Sequence, residues 1–531
     1  MLSYNKNRVL FSLLAIMAAF ASADASVAVK NGAVPKLVVN VLIDQLRSDY
    51  LNAFMPLYGE DGFRKLLDEG KIYTQAEYSH TRPDRASAAA SLSTGTSPSN
   101  HGIISSTWLD RLTLRPIYCV DDAKYQGYNT KDFSSPIKLS VSTIGDELKV
   151  ATEGKSLVFS IAPFREAAIL SAGHAANAAV WIDDYTGNWC STSYYGSLPS
   201  WAIVRSQYFP LSDRLNETIW EPSSDLVGTF SYFLSGGMKK PFKHKFSGDR
   251  KFISYKTSAL VNEEVVETAK TCLSSTTVGT DGITDYLSLT LYAGNFEQQA
   301  VGVSPMELQD TYVRLDKAIA NLISAVDTKI GLNNTLFVFT STGYTEEENT
   351  DLSQYRIPTG EFDMQRTAAL LNMYLIAVYG QGQYIVSSYG TQIYLDHKLL
   401  ENKQINVSEL LNRSQDFLLQ LTGVKDVYTS QRLLQGAWTP GINKIRNGYN
   451  QKYSGDITIE IAPGWRYING ERNENKLVRE SYIPFPIIFY GYGVKPEIIE
   501  TPISVDYIAP TLSHIMRIRA PNACDKAPLA L

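Results

Sequence analysis

Histidine and cysteine are scarce in this chain, six and four respectively among 531 residues. The four cysteines, Cys119, Cys190, Cys272 and Cys524, lie too far apart for a zinc ribbon or a CxxC redox pair. In an oxidising compartment they could form up to two disulfides, with three possible full pairings; unpaired buried thiols are the equal alternative. Beyond the N-terminal segment no run of about 18 uninterrupted apolar residues occurs, so no membrane span is expected in the mature chain. An excess of basic charge is also missing: 49 Lys+Arg stand against 54 Asp+Glu, a formal net charge of -5. That excludes a general electrostatic attraction to nucleic acid as the basis of function. What is present is a composition 44% hydrophobic and 11% aromatic. It suits a globular protein with a large core, built as two or three domains or as one large α/β domain with insertions.

Lys6 and Arg8 precede an apolar run from Val9 to Ala21, and Ala21-Ser22-Ala23 supplies small residues at a cleavage site. These are the parts of a signal peptide over residues 1–23, and they predict export to the periplasm or cell envelope. Further on, Lys36 to Asp44 is a continuous apolar run ending in an acid, the pattern of a strand buried on both faces of a parallel sheet. Tyr286 to Tyr292, Thr335 to Thr340 and Phe485 to Gly491 repeat it. Between two of these runs, Ser304 as N-cap and Pro305 at the first helical position open a helix. Its face carries Leu308, Tyr312, Leu315, Ile319, Leu322, Ile323 and Val326. Strand, helix, strand predicts an α/β fold with a mainly parallel sheet flanked by helices. Residues 175–270 and 380–475 have short β-like segments and Gly-rich turns, and read as mixed α/β cap insertions in a domain spanning 24–531.

The chemistry-bearing motifs begin at the end of the first strand with Asp44-Gln45-Leu46-Arg47-Ser48-Asp49. Thr81-Arg82-Pro83-Asp84-Arg85-Ala86-Ser87 follows, then Ser93-Thr94-Gly95, Pro98 and His101-Gly102-Ile103. Later come Ala168-Ile169-Leu170, Asp310-Thr311-Tyr312-Val313-Arg314-Leu315-Asp316 and Val505-Asp506-Tyr507-Ile508-Ala509-Pro510-Thr511. In order and spacing this set resembles the alkaline phosphatase superfamily, and within it the phosphate-irrepressible (PafA-like) alkaline phosphatases of Bacteroidetes-type bacteria, over almost the whole mature chain.

The resemblance implies an alkaline-phosphatase-like core. It also implies a threonine nucleophile and two zinc ions that clamp the phosphoryl oxygens and stabilise the leaving group. Thr81 falls at the nucleophile, at the start of a helix whose N–H groups and dipole suit an anion. Asp44 falls at a ligand of the second metal. The other ligand positions are changed: Asn295 and Gln299 stand where an aspartate and a histidine are expected, Thr342 and Gly343 replace a second Asp-His pair, and Asn475 falls near a C-terminal histidine. Among phosphate-positioning groups, Ser106 replaces an asparagine, while Phe164 and Glu166 replace a Lys-x-Arg pair around Arg165. Arg82 and Arg85 are added beside the nucleophile and, with Ser106, are the candidate anion-binding residues.

Zinc sites need three or four ligands drawn from thiolate, imidazole and carboxylate. One carboxylate and one hydroxyl do not supply two of them. The expectation is therefore no cofactor, in a metal-free pseudophosphatase that binds or assembles with an unknown protein or anionic ligand. The alternative is an active phosphomonoesterase or phosphodiesterase using Thr81 in a rebuilt site. A sulfatase-like reaction, suggested by Thr81-x-Pro83-x-Arg85, fails because threonine cannot give formylglycine. Structural roles compete at each position: Asp44 as a capping or ion-paired acid, Thr81 as an N-cap, His80 as a partly exposed loop histidine. Asp396-His397 reads as surface decoration, and Glu346, Glu347, Glu348 and Asp351 as a solvated charge run.

Overall fold

Continuous apolar runs become strands here because both faces of the sheet are covered. β1 (Leu37–Asp44) is buried along its whole length. Leu37, Val39, Val41 and Ile43 face one apolar layer, and Val38 and Leu42 face the other. The computed structural model describes residues 34–228, 241–299, 303–345, 356, 358–437, 439–470, 474–478 and 483–531. The proposed signal peptide and the acidic run from Glu346 to Asp351 lie outside them.

Four strands form the heart of the central sheet: β1, β2 (Val158–Ala162), β3 (Asp285–Tyr292) and β4 (Thr335–Ser341). β1 lies between β3 and β4, parallel to both, and β2 is parallel to β3 on the far side. Ala178–Ile182 continues the parallel run beside β2, and Trp189–Thr192 adds an antiparallel strand. On the other flank, Phe485–Gly491 is antiparallel to β4 and to Lys71–Glu77. The sheet is thus parallel at its centre and antiparallel on both sides. Pro35–Leu531 forms one compact unit.

Helices cover both faces. α1 (Arg85–Thr94), α2 (Ile144–Ala151) and α3 (Arg165–Ala172) lie in the layer with Val38 and Leu42. α4 (Pro305–Lys329) lies in the opposite layer, burying Leu308, Tyr312, Leu315, Ile319, Leu322, Ile323 and Val326 as its spacing predicts. Ser304 holds the N-cap position, but its hydroxyl makes no cap bond and donates to Gln299 Oε1 at 2.7 Å.

The two segments read as caps differ. Within 175–270, Ala178–Ile182 and Trp189–Thr192 extend the central sheet, and the helix Leu260–Ser275, which begins there, packs into the α4 layer. Within 380–475, Ile385–Tyr389, Gln392–Leu395, Ile457–Ile461 and Val424–Thr429 make an antiparallel sheet with an apolar core of its own. α5 (Pro440–Asn447) belongs to this second segment. All four cysteines are free thiols, three of them buried.

Candidate functional site

The parallel strands deliver their carboxyl ends to one edge, where ligands bind in open α/β sheets. Asp44 ends β1, Asn295 follows β3, Thr342 follows β4, and Phe164 to Glu166 follow β2. Asp44 is fully buried, Thr342 likewise, and Glu166 and Arg85 are 3% and 8% exposed.

Arg85 is the centre of this cluster. Its Nε and Nη2 lie 2.8 and 2.7 Å from Asp44 Oδ2, and its Nη1 donates to Glu166 Oε1 at 2.9 Å. The other Glu166 oxygen accepts from the Tyr118 hydroxyl at 2.6 Å. The other Asp44 oxygen accepts from Thr342 Oγ1 at 3.0 Å, and that hydroxyl accepts from the Gln45 amide at 2.8 Å. The guanidinium carbon lies 3.4 Å from the centroid of the Phe164 ring, a cation–π contact in a desolvated setting. Burial lowers the Arg85 pKa, but Asp44, Tyr344 and Glu166 more than offset it and hold the pKa well above the ordinary value. Burial pushes Glu166 up, and Arg85 more than reverses this, leaving it below the usual carboxylate range. Phe164 and Glu166, at the two positions where the resemblance implies a Lys-x-Arg pair, thus both contact Arg85.

Arg85 reaches this place because α1 starts at it. Asp84 is the N-cap, accepting from Ser87 N at 2.9 Å while the Ser87 hydroxyl takes the Asp84 amide at 2.9 Å, a reciprocal capping box. The expectation that Thr81 opens the helix is corrected: Thr81 is exposed, three residues ahead of the cap, and its amide donates to Lys444 O of α5 at 3.2 Å. Ser106, expected at an anion, instead gives its amide and hydroxyl to Asp84 Oδ2 at 2.6 and 2.7 Å. Arg85, also expected there, is committed to two carboxylates. Arg82 sits at φ +53°, exposed, with Nη1 3.2 Å from Thr391 Oγ1. Ser106 and Arg85 are thus engaged with carboxylates, and Arg82 with Thr391.

The remaining ligand positions scatter in chemistry and place. Asn295 is 2% exposed, and its Oδ1 has no hydrogen-bond partner among the described residues. Gln299 accepts from Ser304. Asn475 is exposed in the hairpin of Arg466–Asn469 and Glu474–Leu477, accepting from Arg466 Nη1 at 3.2 Å. Gly343 has φ +69°, and a Cβ there would fall 2.8 Å from the Tyr78 ring and 2.9 Å from Phe485. A histidine at that position would be strained and crowded.

Two histidines also differ from expectation. His80 is buried, not a partly exposed loop residue; its ring packs edge-on to Tyr78 and neither nitrogen has a hydrogen-bond partner among the described residues. Burial and the nearby Lys444 charge pull its pKa down to about 3. His397 is more than decoration: its Nε2 lies 2.8 Å from buried Asp456, which also binds Arg111 at 3.1 Å, while Asp396 caps the helix His397–Asn402.

A two-zinc centre does not fit these residues. The Asp44 carboxylate already holds a guanidinium, whose positive charge repels a dication at the same oxygen. Thr342 offers a neutral hydroxyl, Gly343 no side chain, and Asn295 and Gln299 only amide groups. Among the described residues no three His, Cys, Asp or Glu side chains converge as a metal site.

The fold, with Asp44 at the carboxyl-end edge of its parallel strands, defines a class: residues 38–483 match the type I phosphodiesterase / nucleotide pyrophosphatase family, and the chain belongs to it, within the alkaline phosphatase superfamily. It is similar to the alkaline phosphatase PafA of Elizabethkingia meningoseptica, 28% identical with 93% of this chain and 94% of that protein covered. It is 29% identical to the alkaline phosphatase PhoV of Synechococcus elongatus, over 92% and 91% of the two chains. The crystal structure of wild-type PafA superimposes with a TM-score of 0.80 at 26% identity, covering 93% of this chain and 98% of that one.

Proposed function

We propose that this chain is a metal-free, catalytically silent alkaline phosphatase homologue, exported to the periplasm or cell envelope, where it binds or assembles with a protein or an anionic ligand. The observation that carries this is the Asp44–Arg85–Glu166 clamp. Phosphoryl transfer needs a cationic site that accepts negative charge on oxygen in the transition state. In this chain the cation beside Asp44 is a guanidinium already neutralised by two carboxylates. Among the described residues no group is hydrogen-bonded to the Thr81 hydroxyl. Its neighbour His80 is buried without a hydrogen bond to it, and its own amide is held by Lys444. The proposal of export rests on the N-terminal sequence, with its basic start, apolar run and small-residue cleavage site. No described helix is long and apolar enough to cross a membrane.

The test is turnover. Recombinant chain lacking the signal segment, assayed with added zinc on an aryl phosphate monoester and diester, should show no hydrolysis above a buffer blank, and Thr81→Ala should change nothing. Hydrolysis that Thr81→Ala abolishes would establish the active-enzyme alternative.

A further inference from the structure

His174 makes two contacts that a neutral ring cannot satisfy together. Its Nδ1 lies 2.9 Å from Asp146 Oδ2 and its Nε2 3.0 Å from the Leu139 carbonyl oxygen. Both partners are acceptors. A neutral imidazole carries one N–H and an imidazolium two. Asp146 remains an acceptor because it also takes the amides of Thr143 at 2.9 Å and of His174 and Ala175 at 2.7 Å each. Burial pushes its carboxyl up, but these bonds hold it below the usual range.

The contact joins three pieces of chain. Asp146 is the third residue of α2 and half of its capping box with Thr143. His174 follows Gly173, which ends α3 at φ +76°; a Cβ there would fall 2.1 Å from Thr143 Oγ1, so the chain passes directly against the cap. Leu139 belongs to the 136–140 loop, whose Ser140 amide donates to His101 O at 3.0 Å, beside the segment that leads to Ser106. The other charged groups nearby face elsewhere. Glu147 of α2 turns to Ser142 at 2.6 Å and Arg519 at 3.5 Å, Lys138 of the loop to the Asp121 carbonyl, and the Tyr195 hydroxyl to Gly173 O at 2.7 Å.

We propose that His174 is a pH-sensitive pin: as imidazolium it fastens the 136–140 loop to the junction of α2 and α3, and on losing a proton to solvent it releases the Leu139 carbonyl. The retained proton stays on Nδ1, beside the carboxylate. Two lone pairs, on Nε2 and on Leu139 O, then face each other. The ring side chain is 32% exposed, so the proton has a path out. Burial lowers the His174 pKa, and the bond and charge of Asp146 overcome this and raise it above the ordinary histidine value. The pin therefore holds at low pH and opens as pH rises through that raised value. This inference is independent of whether the chain hydrolyses phosphate.

Hydrogen exchange over residues 136–141, corrected for intrinsic rates between about pH 6 and pH 9, reads the loop, and carbon-13 histidine NMR reads the ring. Protection of the Ser140 amide region should fall about tenfold or more, with the midpoint at which His174 titrates, above about 6.5. His174→Phe should exchange fast at every pH. A His174 midpoint at or below about 6.5 in the wild type overturns the proposal, and that reading needs no variant. So does wild-type protection that ignores pH, or a pH-dependent loss that persists in His174→Phe.

Discussion

Substituting alanine for Arg85 is expected to destabilise the protein by about 3–5 kcal/mol, measured by denaturant unfolding at neutral pH. The loss comes less from the attraction removed than from what it leaves behind. Asp44, with a side chain 0% exposed, and Glu166, 4% exposed, would be buried carboxylates without a countercharge. Tyr118 and Thr342 still donate to them, so each keeps one hydrogen bond. Neutralising both acids as well, in the triple variant Asp44→Asn, Glu166→Gln, Arg85→Met, should recover a large part of the loss, because a buried ion cluster replaced by neutral groups of similar size is often near neutral in stability. A single-variant loss below about 1 kcal/mol would mean that the clamp is solvated like a surface pair and does not organise this edge of the sheet.

The second large effect is acid sensitivity at His80. Its folded pKa of about 3 lies below the ordinary 6.5, so between these values the unfolded chain binds a proton that the folded one does not. Stability from this group is fully present above about 6.5 and is lost as pH falls toward 3. The full span corresponds to an upper bound on the order of 4–5 kcal/mol. Buried His101 acts in the same direction. Asp285, pushed up to about 6 by burial, acts oppositely, since its folded form takes up a proton first as pH falls. The difference between wild type and His80→Phe isolates the His80 share, because phenylalanine keeps the contact with Tyr78. Wild-type stability should fall more steeply from about pH 6.5 to pH 4.5 than that of the variant. Parallel curves would show that His80 is not held neutral by the fold.

Strand-forming segments were legible because a strand covered on both faces must be apolar at nearly every position, as β1 is. Their direction was not legible: Phe485–Gly491 has the same pattern as β1 yet runs antiparallel, and a continuous apolar run carries no sign of polarity. The helix start after Thr81 could have been placed from Asp84 and Ser87, a capping-box spacing sitting directly before the alanine-rich run. Asp44 and Thr342, which the resemblance singled out, lie at the carboxyl ends of β1 and β4. The resemblance could not show that Arg85 turns inward, since its partners lie 41 and 81 residues away and are fixed only by the sheet. Tyr118 was missed for the same reason, and nothing in its own neighbourhood marks it. The His80 segment is met by α5, which docks on its neighbours Ser79 and Thr81 from more than 350 residues further along.

Elemental analysis of zinc, after equilibration with excess zinc and removal of unbound ion, tests the central claim most directly. If Arg85 stands where the homologues' chemistry calls for metal charge, the wild-type chain retains no stoichiometric zinc. Two zinc ions per chain, retained together and lost on Asp44→Asn, would contradict it.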